Sequence, residues 1–324
     1  MKGTEKSEKR RNAMNAQGRQ LLSIRYSVYI TKMDQNEMSI NDNRRCDLHT
    51  HSTFSDGTLT PTELVKLAEE QGLSALALTD HNTSGGLSEF MEAGSGSSVI
   101  TVPGCEFTTE WNDIEIHIVG LFFRRQYWDE IEDFLQLAHI AKENSNQRLI
   151  DSLNKAGYEV SVEEVSALGS GDFNRAHVAR VLMAKGYVES VTEAFDTLLK
   201  PGNGFYYPPR RITSVAAVHF IKTFGATAIM AHGLINLTAE QMRDFLPGAK
   251  KAGLDAIETH YSDYDDEMTA TAISLAEEFG LRQSGGSDFH GQTKPDISMG
   301  TGRGNLILPY QLYESMRACA DYDE

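Results

Sequence analysis

The stretch RCDLHTHSTFSDGTLTPTELVKLAEEQGLSALALTDH, residues 45–81, holds a complete strand, helix, strand unit. Arg45 to Ser52 reads as the first strand. Thr60-Pro61-Thr62-Glu63 then supplies an N-cap, a proline at the first helical position and a capping-box glutamate. Leu64, Leu67, Ala68 and Gln71 share one helical face, and Gly72 ends the helix. Ala75 to Leu78 is apolar throughout, as a buried parallel strand is, and it runs into Thr79-Asp80-His81.

Outward from this unit the rhythm repeats, with one interruption. Val99 to Phe107 and Ile114 to Phe122 read as two further strands. Residues 126–211 carry helical patterns, Ile131 to Tyr158 and Ala176 to Leu199, broken by Gly169-Ser170-Gly171, and contain no convincing strand. Alternation then resumes with strands Thr227 to Ala231, Ala256 to Tyr261 and Leu281 to Gly285. Helices at Thr238 to Ala252, opened by a Thr238–Gln241 capping box, and Asp265 to Phe279 lie between them. Seven or so strands followed by helices predict an α/β protein with a parallel sheet, most simply closed into a barrel. The division is residues 46–125 and 212–324 for the barrel and 126–211 for a helical insertion that can cap a substrate. Residues 1–45 read as a polar, loosely ordered extension, with Met33 or Met38 as alternative starts.

Composition narrows the function classes. The chain has 324 residues, 40% hydrophobic and 23% charged, the balance of a globular protein. No run approaches the roughly 20 apolar residues of a membrane span. Three scattered cysteines, Cys46, Cys105 and Cys319, do not form a disulfide framework and fit a reducing cytoplasm. Net charge is −16, and residues 1–45 carry ten Lys/Arg against five Asp/Glu, leaving about −21 elsewhere. That balance argues against a long nucleic-acid duplex as partner and for a small anionic substrate met by bound cations.

The placement of histidines carries the chemistry. His49 and His51 lie at the end of the first expected strand, His81 ends the second, and His117 sits in the fourth. His232 ends the strand after the insertion, and His290 follows the last strand. Strand carboxyl ends converge on the site in parallel α/β folds. Asp56 lies just after His51, Glu106 falls inside a strand, and Asp288 is two residues before His290. An ionised strand residue such as Glu106 is costly unless paired or metal-bound. Nine imidazole and carboxylate donors are too many for one cation and fit two or three ions of the zinc, manganese or iron kind. Asp47 and Asp80 adjoin these donors but belong to the opposite strand face, which marks them as structural.

Asp47-Leu48-His49-Thr50-His51, Ser55-Asp56-Gly57, Thr79-Asp80-His81-Asn82, Pro103-Gly104-Cys105-Glu106, Ala231-His232 and Gly286-Ser287-Asp288-Phe289-His290, taken in order, resemble the PHP (polymerase and histidinol phosphatase) family. The resemblance implies a distorted (β/α)7 TIM-like barrel and a trinuclear centre, with manganese first and iron or zinc next. It implies that His49 and His51 share one ion with Glu106 and Asp288. Glu106 would bridge to a second, completed by His81 or His117. Asp56, His81, His232 and His290 would hold the remaining positions. The insertion resembles the branch of nucleoside 3′,5′-bisphosphate phosphatases and 5′-3′ oligoribonucleases. That branch has an Arg-Pro-His triplet after the insertion's glycine-rich loop, here Arg175-Ala176-His177. The family's Ala-His-Pro is here Ala231-His232-Gly233, a change expected to loosen the backbone behind the histidine.

These readings describe a phosphoesterase in which metal-activated hydroxide attacks a phosphomonoester or phosphodiester of a nucleotide or short RNA. Arg175 is expected to fix phosphate and His177 to orient substrate or protonate the leaving group. Arg210, Arg211 and His260 are further candidate substrate contacts. His139 and His219 lie on expected helices and pack, and Cys46 and Cys105 are small buried residues. Three alternatives stay open: a histidinol phosphate or sugar phosphatase, an amidohydrolase-like C–N hydrolase, and a non-catalytic metal-binding module.

Overall fold

The computed structural model describes residues 43–167, 175–209 and 211–322. Arg210, the Gly169-Ser170-Gly171 break and the extension before residue 43 lie outside the described residues, as does the side chain of His139. Seven strands form one sheet in the order β1 to β7: Cys46–Asp47, Ala75–Leu78, Ile100–Trp111, Ile114–Leu121, Thr227–Ala231, Ala256–Tyr261 and Arg282–Gly286. Just past β1 and β7 the chain pairs with itself, with Thr50 bridged to Phe289 and His51 N donating to Phe289 O at 2.9 Å. The sheet thus curls into a nearly closed barrel with helices outside it.

The all-parallel expectation needs one correction. β3 pairs antiparallel with β4, and β4 antiparallel with β5, while the other four pairings are parallel. The cause is local. Asn112 and Asp113, both at positive φ (50° and 62°), form a two-residue hairpin turn between β3 and β4. Without a crossover helix the chain cannot return parallel. The first expected strand is also shorter as a regular element, ending at Asp47.

Period-two alternation sorts the side chains. Ala75, Ala77, Val102, Val119, Ile229 and Ala256 form part of one apolar cluster, together with Leu308, Tyr313 and Met316 of the C-terminal segment. Their neighbours Leu76, Leu78, Phe107, Ile118, Met230 and Ile257 face the helices. Four residues beyond Val102 is Glu106 and two beyond Ala256 is Glu258, so both point inward above the apolar floor. In the reversed strand β4 the same layer lies before Val119, at His117.

The outer helices follow their sequence signals. Thr60 and Glu63 form the capping box of Pro61–Glu70, and Thr238 and Gln241 that of Ala239–Ala252. Between β4 and β5 the longer helices are Trp128–Lys155, Arg175–Ala184 and Ser214–Thr223. Trp128, Ile131 and Leu135 pack into the barrel's outer layer. Further along the same helix, Leu149, Ile150 and Leu153 join a separate core with Val165, Val178, Leu182, Leu198 and Tyr206. Among the described helices none is long and apolar enough to cross a membrane.

Candidate metal centre

All nine expected donors meet at the mouth of the barrel. Glu106 is their hub and is fully buried. Its Oε2 lies 3.1 Å from His49 Nε2, 3.3 Å from His51 Nε2 and 3.1 Å from His81 Nδ1. Its Oε1 lies 2.8 Å from His117 Nδ1 and 3.0 Å from His232 Nε2. Asp288 Oδ1 stands 3.2 Å from His51 Nε2 and 3.3 Å from His290 Nδ1. Asp56 Oδ1 is 3.1 Å from His290 Nε2, and Asp56 Oδ2 is 3.9 Å from His81 Nε2.

The backbone explains the convergence. β3 outlasts its neighbours, and Glu106 N donates to Asp80 O while Asn82 N donates to Glu106 O, which sets Glu106 level with His81. His117 is paired in register with Ala231, one residue before His232. β7 passes so close to β1 that a Cβ on Gly286 would lie 2.3 Å from His49 Cβ, so only glycine fits there. His232 itself sits at φ 29°, ψ 41°, a left-handed conformation uncommon for a side-chain-bearing residue. Gly233 lies close to two methionine side chains. A Cβ there would meet Met230 Cε at 2.7 Å and Met242 Sδ at 2.9 Å, contacts that these flexible side chains can relieve.

Charge accumulates here at unusual density, and its cost is met by pairing. Burial pushes Glu106 toward protonation, but the His49 and His117 imidazoles outweigh it and hold the carboxyl well below the usual range. Burial lowers the His51 imidazolium, yet the nearby carboxylates of Asp288 and Glu106 outweigh it and leave it at about 9. The same opposition, with Glu106 and Glu115 as partners, leaves His117 at about 10. His81 goes the other way, to about 3, because burial and the neighbouring His51 and His117 prevail over Glu106 and Asp56.

The donors fit divalent cations. Both ring nitrogens of His51 and Nδ1 of His81 are buried with no hydrogen-bond partner, though carboxylate oxygens stand close by. Buried polar nitrogens left this way are expensive unless another group satisfies them. Four sets of donors lie within 4.8 Å of one another: His51, Asp56, His81, His290; His49, His51, Asp288; His49, Glu106, His232; and His81, Glu106, His117. Nitrogen and carboxylate oxygen in such sets suit zinc, manganese or iron. His232 groups with His49 and Glu106.

The other sequence candidates lie elsewhere in the network. Asp47 and Asp80 take structural roles. Asp47 accepts from Ser287 N and Gly300 N at 2.8 and 2.7 Å, and Asp80 from Ser52 N at 2.7 Å. Arg211 is engaged with Glu115 Oε2 at 2.6 Å, and Glu115 Oε1 is 3.2 Å from His117 Nε2. Arg175 belongs to the insertion. Its guanidinium lies over Tyr206, 4.3 Å from the ring centroid, and donates to Leu199 O at 3.1 Å. His177 is half-buried on the same helix. His260 Nδ1 is 2.8 Å from Thr259 Oγ1, and His260 is in none of the donor sets. Burial raises the thiols of Cys46 and Cys105, as suits packed residues.

Three residues escaped the sequence reading. Glu258 Oε1 stands 2.9 Å from His49 Nδ1, and its Oε2 accepts from His232 N at 2.7 Å. Tyr261 Oη and Lys294 Nζ donate to Asp288 Oδ2 at 2.8 and 2.6 Å. Glu258 had a legible signal, an acid inside an apolar strand run like Glu106. Lys294 had none, since only the fold brings its loop back over Asp288.

Comparison with known proteins identifies the family. The PHP domain model matches residues 47–207. A 5′-3′ exoribonuclease of Haemophilus influenzae is 35% identical over 248 residues, covering 76% of this chain and 90% of that protein. A 3′,5′-nucleoside bisphosphate phosphatase of Chromobacterium violaceum is 29% identical, covering 75% of this chain and 86% of that protein. Among solved structures, an amidohydrolase from Chromobacterium violaceum, with bound sulfate and no metal, superimposes with a TM-score of 0.68. It is 27% identical, covering 85% of this chain and 96% of that one. With a barrel of this topology and relatives matched over most of their length, the chain belongs to the PHP family and is one of its metal-dependent phosphoesterases.

Proposed function

We propose that this enzyme hydrolyses a phosphate ester of a nucleotide or short RNA, with a 3′,5′-bisphosphate nucleotide as the type of substrate. The observation that carries the chemistry is the set of buried, unpartnered imidazole nitrogens aimed among Glu106, Asp288 and Asp56. The substrate class is supported by the names of the exoribonuclease and bisphosphate phosphatase relatives. Two or three divalent ions held by the nine donors, manganese first, would supply Lewis acidity to the phosphoryl oxygens and acidify a water nucleophile.

The chain's own groups define how substrate approaches. His49, His51 and Glu106 are fully buried, whereas Asp56 is half-exposed and His81 a quarter exposed. Substrate phosphate therefore enters over the Asp56–His81 rim. Lys294, partly exposed and bound to Asp288, adds a cation beside the ligand set. The acidic balance of the chain away from residues 1–45 supports short substrates over a long duplex. Arg175 and Arg211 are already engaged within the protein, so this reading does not lean on them for substrate phosphate.

The test is phosphate release from adenosine 3′,5′-bisphosphate by manganese-loaded protein. A short 5′-phosphorylated RNA and histidinol phosphate are run in parallel, with His49→Ala as control. Turnover on either nucleotide substrate that vanishes in the variant supports the reading. Turnover on histidinol phosphate alone overturns the substrate class and leaves the centre standing.

A further inference from the structure

Glu258 lies outside the nine donors, yet it touches two of them from behind. It is buried, 3% exposed, and projects inward from β6 just before a register shift between Glu258 and His260. One oxygen faces His49 Nδ1, and the other accepts the backbone N–H of His232. His49 Nε2 then faces Glu106 Oε2 and Asp288 Oδ1, at 3.1 and 3.7 Å. His232 Nε2 faces Glu106 Oε1. The two histidines thus address opposite oxygens of the same hub carboxylate.

We infer that Glu258 is a positioning residue that controls the loading of two adjacent cation positions at once. It does so by two separate contacts. Accepting Nδ1–H from His49 fixes the tautomer whose Nε2 lone pair points into the centre. Accepting the His232 N–H holds that residue in its left-handed conformation, which costs free energy and persists only where surroundings enforce it. Tyr264 supports the second contact from the next residues, with its hydroxyl accepting from Leu234 N at 2.9 Å. The set of Asp56, His81, His290 and His51 contains neither His49 nor His232 and so lies outside its control.

This inference rests on the metal-centre reading, and the experiment separates the two. Chelator-competition titrations with manganese and zinc are run on the full chain and on Glu258→Gln, with melting of the metal-free proteins alongside. Glutamine keeps the shape, but it cannot accept at both ends. We expect the positions that use His49 to weaken by roughly 10- to 100-fold, with the position of Asp56, His81 and His290 unchanged. Equal affinities in both proteins overturn the role of Glu258. A wild-type protein that binds no cation sinks the metal centre itself. If the variant does not fold, the wild type still decides: long-range ¹H–¹⁵N spectra of the zinc-loaded protein should show His49 protonated at Nδ1 and coordinated through Nε2. Coordination through Nδ1 overturns the inference.

Discussion

The mouth of the barrel and the helical insertion handle polar groups in opposite ways. At the mouth, five histidines surround one fully buried carboxylate, and three ring nitrogens lack any hydrogen bond. In the insertion, the described core is aliphatic and aromatic, and its helix starts at Val162 and Val191 are capped by Ser161 and Ser190. Arg175, its most interesting cation by sequence, is covered by Tyr206 and Phe195. The described core of the insertion is closed by apolar packing. The mouth is built as half of a complex whose other half is ionic, and this difference suggests where mutations report on chemistry and where they report on stability.

The largest effect should come from His49→Ala, which removes a donor shared by two sets. Its turnover should fall on the order of 10³-fold, comparable to losing a principal electrostatic element of an active site. Full activity with metals still bound would erase the contrast between the two regions. Next is the cation itself. At a hundredfold excess over Kd, manganese should stabilise the protein by about 2.7 kcal/mol per independent site, read as a raised melting temperature that a chelator reverses. No shift would mean that the mouth is satisfied without ions.

The pH response should be smaller and opposite in sign for the two forms. In the metal-free protein His51 and His117 are raised to about 9 and about 10, above their ordinary 6.5. Their contribution to stability is full below pH 6.5 and is lost as pH climbs through 9 to 10. Cation binding needs neutral imidazoles, so affinity should rise over the same window. Melts and titrations between pH 6.5 and 9 test both, and parallel trends would break the assignment. The smallest effect belongs to the insertion. Arg175→Ala should cost about 1 kcal/mol of stability through the lost aromatic contact and change KM less than about threefold. A tenfold rise in KM at unchanged melting temperature would move Arg175 from packing to substrate phosphate.

Much of the centre was legible because its signals are local. Histidines at strand ends, and an acid inside an apolar strand, carry meaning whatever the partner strand is. The turn at Asn112 and Asp113 was equally local and could have been read as a hairpin, which would have reversed β4 from the start. Glu258 carries the same local signal as Glu106, an acid inside an apolar strand run. The grouping of His232 with Glu106 depends on the reversed β4, whose register brings His117 beside Ala231.

By itself the sequence determined the alternation of elements, the caps that start the helices, and the nine donors, because periodicity and residue chemistry act over a few positions. Only the tertiary structure decided which oxygen each histidine faces, that Arg175 is packed and Arg211 engaged, and that Glu258, Tyr261 and Lys294 stand behind the ligands. Those relations join residues as far apart as His49 and Glu258, and closing a barrel is what turns such separations into contacts of about 3 Å.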